Sequence, residues 1–227
     1  MGLDSWDGRT VELAGTVDPA ARGRGIGTAL LEEAVRVCRD RGSARALLIV
    51  PRPSAAGHHL ARRCGAPLEH SEHALRLDTA PAPGGEDPRT RLRPATSDDL
   101  SVLADLLTAA FGQAPVHLEA GFADGGTLVV EHDGAVVGTL RRQRDGRSAG
   151  IYGFAVAPGF QGRGIGRDVL RRVSRRSFTE GATSVRLEVA VENDRALGLY
   201  TSVGFSRVQT EDYYDLPLWT ASPPRQS

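Results

Sequence analysis

One motif occurs twice in this chain, 139 residues apart, and that repeat constrains the fold more than any other feature. Val17, Pro19, Gly23, Arg24, Gly25, Ile26 and Gly27 recur as Val156, Pro158, Gly162, Arg163, Gly164, Ile165 and Gly166. At this fixed offset, residues 17–42 and 156–181 share ten identities without a gap, ending on Gly42 and Gly181. The same offset then pairs Leu48 with Leu187, Leu60 with Leu199 and Gly65 with Gly204. A chance match of glycine-rich turns does not hold register for about fifty residues. The 227 residues are therefore expected to hold two related domains. Between them, residues 80–89 carry Pro81, Pro83, Pro88, Gly84 and Gly85, which reads as a linker without packed structure. The expected boundaries are 1–79, linker 80–89, 90–220 and a frayed tail 221–227.

Charge and composition exclude several functions. Arg plus Lys total 28 and Asp plus Glu total 28, so no net positive field draws in a nucleic acid. Every basic residue among those 28 is Arg, which rules out lysine Schiff-base chemistry. Cys38 and Cys64 are too few for a disulfide framework or a cysteine zinc site. His58, His59, His70 and His73 lack a further ligand set and read as surface histidines, so no metal is expected. No long apolar run suggests a membrane span and no basic, then apolar start suggests a signal peptide. A reduced, cytoplasmic protein is the expectation.

The second copy reads as a mixed α/β sheet with helices on its faces. Strands are expected at 91–93, 127–131, 135–141, 148–157 and 185–191, with one or two more over 205–218. Asp133 and Gly134 make a tight turn. A helix capped by Ser97 or Asp98 carries Leu100, Leu103, Leu107 and Phe111 at helical spacing. A second runs 164–180 and stops at Gly181, and a third, capped by Asn193, closes at Gly204.

Gln161, Gly162, Arg163, Gly164, Ile165 and Gly166 join a strand to a helix start. Glycines there let backbone approach a ligand, and successive N–H groups at a helix start cradle an anion such as a pyrophosphate. The spacing is neither the dinucleotide G-x-G-x-x-G nor a Walker loop, since no Lys follows. The bland alternative is a glycine-rich turn. The residues do resemble the acetyl-coenzyme A motif Q/R-x-x-G-x-G/A of the GNAT (N-acetyltransferase) family, met by 161–166 and again by 22–27. The later family pattern N-x-x-A-x-x-L-Y-x-x-x-G-F is met by Asn193, Ala196, Leu199, Tyr200, Gly204 and Phe205. The likeness covers 90–218 and the later half of the fold in 9–79. The tandem layout is similar to that of mycothiol-synthase-type proteins, although Gly150 stands where many of those carry Glu.

This resemblance implies a set of roles. The strands at 148–157 and 185–191 would splay, and the pantetheine arm of acetyl-coenzyme A, the co-substrate, would bind strand edge N–H groups around Phe154, Ala155 and Val156. Residues 161–166 would hold the pyrophosphate, with Arg163 and Arg167 near the phosphates and Asn193 on the pantetheine arm. Asn193 as a plain helix cap is compatible with that. Tyr200 would protonate the leaving thiolate, since a phenol is protonated at neutral pH. Its alternative is a core tyrosine. Glu188, twelve residues before Tyr200, matches the proposed base of ribosomal-protein N-terminal acetyltransferases, with a strand-end salt bridge as its alternative. Glu131, His132 and Tyr152 are other base candidates. Acceptor choice would fall to 112–126 and to 211–215, where Glu211, Asp212 and Asp215 flank Tyr213 and Tyr214. Those acidic residues either attract a cationic amine or form a surface turn. The arginines at 171, 172, 175 and 176 read as a solvated helix face.

The function these readings imply is acetyl transfer to a small-molecule or peptide primary amine by the C-terminal domain. A non-catalytic acetyl-coenzyme A sensor or scaffold is the alternative. At the same offset Tyr200 becomes Ala61, Glu188 becomes Ile49 and Asn193 becomes Ser54, so the first copy reads as degenerate and non-catalytic. Its glycine loop survives, which leaves coenzyme binding there open. The first copy also reads as truncated to its C-terminal half, opening on a strand at 10–17. Upstream sequence, the other domain or another chain is expected to cover that incomplete sheet.

Overall fold

The computed structural model describes residues 2–4, 9–114 and 118–218. In chain order the elements are β1 (Gly2–Asp4), β2 (Thr10–Ala14), α1 (Ile26–Asp40), β3 (Arg45–Pro51), α2 (Ala55–Arg63), β4 (Leu68–Leu77), β5 (Thr90–Pro94), α3 (Leu100–Phe111), β6 (Thr127–His132), β7 (Ala135–Asp145), β8 (Ser148–Val156), α4 (Ile165–Thr179), β9 (Ser184–Ala190), α5 (Asp194–Val203) and β10 (Ser206–Leu216). They pack as two compact units, residues 73–208 and residues 1–72 with 209–227. The expected tail 221–227 lies outside the described residues.

In residues 73–208 the strand order is β4-β9-β8-β7-β6-β5. β5 to β8 form an antiparallel meander, and β8 meets β9 in parallel. Asp133 (φ 50°) and Gly134 (φ 80°) make the β6–β7 turn, the left-handed pair that a two-residue hairpin needs. One sheet face buries Ile165, Val169, Leu170 and Val173 of α4 and Tyr200 and Val203 of α5 against Val185, Leu187 and Val189 of β9. Side chains alternate across a strand, so Arg186 and Glu188 point to the opposite face. There α3 packs Leu103 on Ala95 and Val129, with Leu106, Leu118 and Phe122 around them. Each such buried apolar side chain contributes about 1.5–3 kcal/mol.

Local chemistry sets the helix ends. Thr96 and Asp99 form a capping box at the turn preceding α3, so the cap lies before Ser97 and Asp98, where it was expected. Asp99 also takes both guanidinium arms of Arg93 at 2.7 Å. Asn193 caps α5 by accepting from the Ala196 N–H at 3.0 Å, and Gly204 (φ 109°) ends it. Two expectations are corrected here. The linker has no regular structure, yet Arg172 donates to the Thr90 and Asp87 carbonyls at 3.0 and 2.8 Å. Arg175 pairs with Glu86. Half of the arginine run is thus spent pinning residues 86–90 to α4 and is not a free solvated face.

In residues 1–72 with 209–227 the order is β1-β2-β3-β10-β4. β1 pairs antiparallel with β2, so a strand precedes the one expected to open this copy, and β2 itself stops at Ala14. β3 lies parallel to β2 on one side and antiparallel to β10 on the other, Tyr214 facing Leu48 and Leu216 facing Ala46. Leu13, Leu31, Ala34, Cys38, Leu48, Val50, Ala61 and Leu216 form its core.

The repeats and the packed units differ at their last strands. β4 corresponds to β10 by the 139 offset, as β3 does to β9. Yet β3 pairs with β10, and β9 neighbours β4. Each copy's core strand takes the other copy's final strand. This does not fill the half sheet of the first copy: β7, β6 and β5 lie beyond β8, whereas among the described residues only β1 lies beyond β2. The segment 211–215 is β-strand and not a surface turn. Asp212 is 5% exposed, held by Arg52 at 2.7 Å and by Ser71 at 2.7 Å. The histidines are not simply superficial either. His73 is buried, and His58 sits between the Tyr214 hydroxyl and the Arg52 carbonyl at 2.8 Å each.

Candidate active site

The parallel ladder between β8 and β9 has three pairs, Ser148 with Ser184, Ala149 with Val185 and Gly150 with Arg186. β8 continues for six residues and β9 for four without further pairing, so the two strands part there. A bulge opposite Thr139 and Arg141, with Gly153 at φ 55°, turns β8 at this point. Ala157 N–H donates to the Val137 carbonyl at 2.8 Å. Antiparallel alternation then aims the N–H and C=O of Val156 away from β7, toward the gap. Gln161 Nε2 takes that carbonyl at 2.8 Å. Gln161 thus acts as a strut from the loop to the strand end, a role its place in the motif did not reveal. Ala155 is buried, and Phe154 packs on the α4–α5 face.

Beyond the strut, Gly162 (φ 79°) and Gly164 (φ 86°) take left-handed dihedrals that other residues rarely adopt. Among the described residues, the backbone N–H groups from Gly162 to Arg167 carry no hydrogen bond, and Gly164 caps α4. Gly166 is needed for a different reason. A Cβ there would stand 3.2 Å from Leu199 Cδ2 and 3.7 Å from Phe154 Cζ. Its absence lets α4, α5 and β8 close on one another. Ile165 is buried, so only its backbone faces the loop. The Arg163 guanidinium lies 5.1 Å over the Phe160 ring, and Arg167 is bonded to Ser202 Oγ at 3.0 Å. A row of unpaired N–H groups at the positive end of a helix, beside open space at Gly164, fits a pyrophosphate.

Tyr200 lies on the α4–α5 side, 8% exposed, edge-on to Phe205. Burial pushes its phenol up to about 12. No described residue hydrogen-bonds the hydroxyl. Glu188 is exposed on the opposite face of β9, at the part of the strand that has left the ladder. The argument that a strand carboxylate must be buried for a purpose does not apply to it. Asn193 Oδ1 is engaged as the α5 cap. Two other base candidates are elsewhere and engaged: Glu131 is held by Arg93 at 2.7 Å and the buried His132 by Thr90 at 3.0 Å, both on β6.

The unit of residues 1–72 with 209–227 repeats the loop. Gly23 and Gly25 have φ of 74° and 80°, Gly25 caps α1, and Arg22 Nε reaches the Val17 carbonyl at 3.1 Å as Gln161 reaches that of Val156. Ser54 caps α2 as Asn193 caps α5. No phenol stands on α2 at the position of Tyr200, where Ala61 is buried in the core.

Known proteins share this arrangement. A GCN5-related N-acetyltransferase from Sphaerobacter thermophilus superposes with a TM-score of 0.75 at 20% identity, covering 96% of this chain and 76% of that one. One from Kribbella flavida gives 0.66 at 15% identity, covering 92% and 81%. A tandem GNAT protein from the clavulanic acid biosynthesis pathway gives 0.64 at 18% identity, covering 94% and 77%. At these identities the likeness is one of fold. Among the described residues no helix is long and apolar enough to cross a membrane. The model of the acetyltransferase (GNAT) family matches residues 2–66 and again 98–205, one stretch in each copy, and this chain belongs to that family.

Proposed function

We propose that the protein is an acetyl-coenzyme A-dependent N-acetyltransferase whose second copy moves the acetyl group to a primary amine by direct attack on the thioester. The observation that carries this is the opened β8–β9 ladder, with a buried phenol on one face and a carboxylate on the other. Attack and departure occur on different sides of the acyl carbon, so the proton donor and acceptor belong on different faces of the gap. Acetyl-coenzyme A supplies the activated thioester. The N–H groups from Gly162 to Arg167 hold its pyrophosphate, and the Val156 N–H takes the arm in the gap. Glu188 accepts a proton from the amine as the C–N bond forms. Tyr200 donates to the sulfur as the C–S bond breaks.

Thiol release from acetyl-coenzyme A across a panel of primary amines tests this. Amine-dependent release that depends on Tyr200 is expected. Tight coenzyme binding with no release from any amine would favour a non-catalytic binder.

A further inference from the structure

The two copies share the glycine loop but not the strand that leads into it. In the second copy β8 carries a bulge. Its register against β7 shifts between Thr139 and Arg141, and Gly153 sits inside the shift at φ 55°. The 139 offset puts Ala14 at the place of Gly153. An alanine rarely takes up that dihedral, and neither Ala14 nor the neighbouring Gly15 has a positive φ. β2 runs straight instead. β1 pairs with it without a shift, Gly2 facing Ala14, Leu3 facing Leu13 and Asp4 facing Glu12. A bulge holds one extra residue, and the parallel ladders show its effect. Ser148 faces Ser184, so the offset would set Arg9 against Arg45, yet Thr10 faces Arg45. With no bulge to turn it, β2 stays on β3 through Leu13 and Leu48, the equivalents of positions 152 and 187. β8 has left β9 after Gly150 and Arg186. Beyond the last rung, the edge that leads to the loop runs 151–156 in the second copy, to Val156, and 14–17 in the first, to Val17. That is six residues against four, or about 7 Å less open edge at the strand rise.

We infer that the residue at this position decides which copy takes the acyl arm of the coenzyme: Gly153 opens the second copy to it, Ala14 shuts the first, and the chain holds one acyl-coenzyme A. This rests on the coenzyme site proposed above. An arm lying between two strands gains its hydrogen bonds from edge groups that the ladder leaves unused. In the first copy two more positions of β2 face β3 instead, and the slot is too short for the arm to seat its thioester between the strands. Whatever its glycine loop binds, coenzyme A has no advantage there over 3′-phospho-ADP, which is coenzyme A without the pantetheine arm.

Calorimetric titrations compare coenzyme A with 3′-phospho-ADP on wild type, Gly164→Glu and Gly153→Ala. Wild type should bind one coenzyme A per chain, about tenfold more tightly than the armless nucleotide. Gly164→Glu disables the second cradle and leaves the first copy as it is. It should bind neither ligand, or both within about threefold of each other. A larger preference for coenzyme A in that variant overturns the inference, as do two tight coenzyme A sites in wild type. Gly153→Ala should weaken coenzyme A about tenfold and leave the nucleotide within about threefold, a split that a general loss of folding does not give. Unchanged coenzyme A affinity there overturns the role of the bulge. If Gly153→Ala loses both ligands it has lost the site itself, and the Gly164→Glu titrations decide alone. None of these readings uses turnover. A chain that releases thiol with no amine defeats the transferase reading and leaves this one standing, whereas a wild type that binds coenzyme A no more tightly than the nucleotide defeats this one.

Discussion

Tyr200 keeps its proton because ionising it would strand a phenolate in the apolar contact between α5 and Phe205. That makes it an acid at any ordinary pH. Tyr200→Phe should lower kcat by about 10²–10⁴ with the coenzyme KM little changed, read by steady-state kinetics. Unchanged turnover would remove it from the chemistry. The shift also has a stability consequence. Folding favours the neutral phenol, so this stabilisation is complete below the unfolded value near 10 and is lost as pH rises from there toward 12. Tyr200→Phe should therefore lose less stability than wild type between pH 9 and pH 11 in denaturant titrations. Gly164 is a residue of the opposite kind, valuable for what it lacks. Gly164→Glu forces a side chain into the left-handed region at φ 86° and sets a negative charge in the cradle. Coenzyme affinity should fall at least tenfold by calorimetry, and normal affinity would contradict the role of the loop.

At the scale of elements, the glycine loops, the α5 cap and the strand positions of the second copy were legible because each depends on neighbours in sequence. The α3 cap at Thr96 and the strand β1 were not foreseen. Asn193 and Gly204 bracket α5, and Gly162 and Gly164 take the dihedrals that only their type adopts freely. Strand partners were not legible. β4 and β10 occupy the same place in the repeat, and an alternating apolar pattern names a buried face without naming a neighbour. Nor could composition show that Asp212 is buried. Burial works against its charge, but the hydrogen bonds from Arg52 and Ser71 outweigh this and hold its carboxyl below the ordinary carboxylate range. A depressed carboxyl adds stability above its unfolded value and loses it as pH falls through the folded one. Asp212→Asn should therefore flatten the acid limb of thermal stability below about pH 4. Asp212→Ala, which leaves Ser71 Oγ without its acceptor, should cost about 1–3 kcal/mol in urea titrations.

On the scale of the whole molecule, the exchange of final strands makes each copy dependent on the other. Residues 1–79 contain β3 without β10, so the edge that pairs from Ala46 to Pro51 loses its partner and Leu216 leaves the core around Leu48 and Val50. Residues 90–227 contain β9 without β4, which takes Leu75 and Leu77 from the core of α4 and α5. Losing two buried leucines costs about 3–6 kcal/mol by transfer alone, a large share of the stability of a domain this size. The intact edge of β9 would also be left open to pairing with another chain. Neither fragment should melt cooperatively by itself. Mixing or co-expressing them should restore a cooperative transition, because the missing strand of each is carried by the other. Differential scanning calorimetry of 1–79, of 90–227 and of the pair reads this directly. A 90–227 fragment that melts with the midpoint of the full chain would mean that β10 can return to β9 at no cost, and that the first copy contributes nothing to the stability of the second.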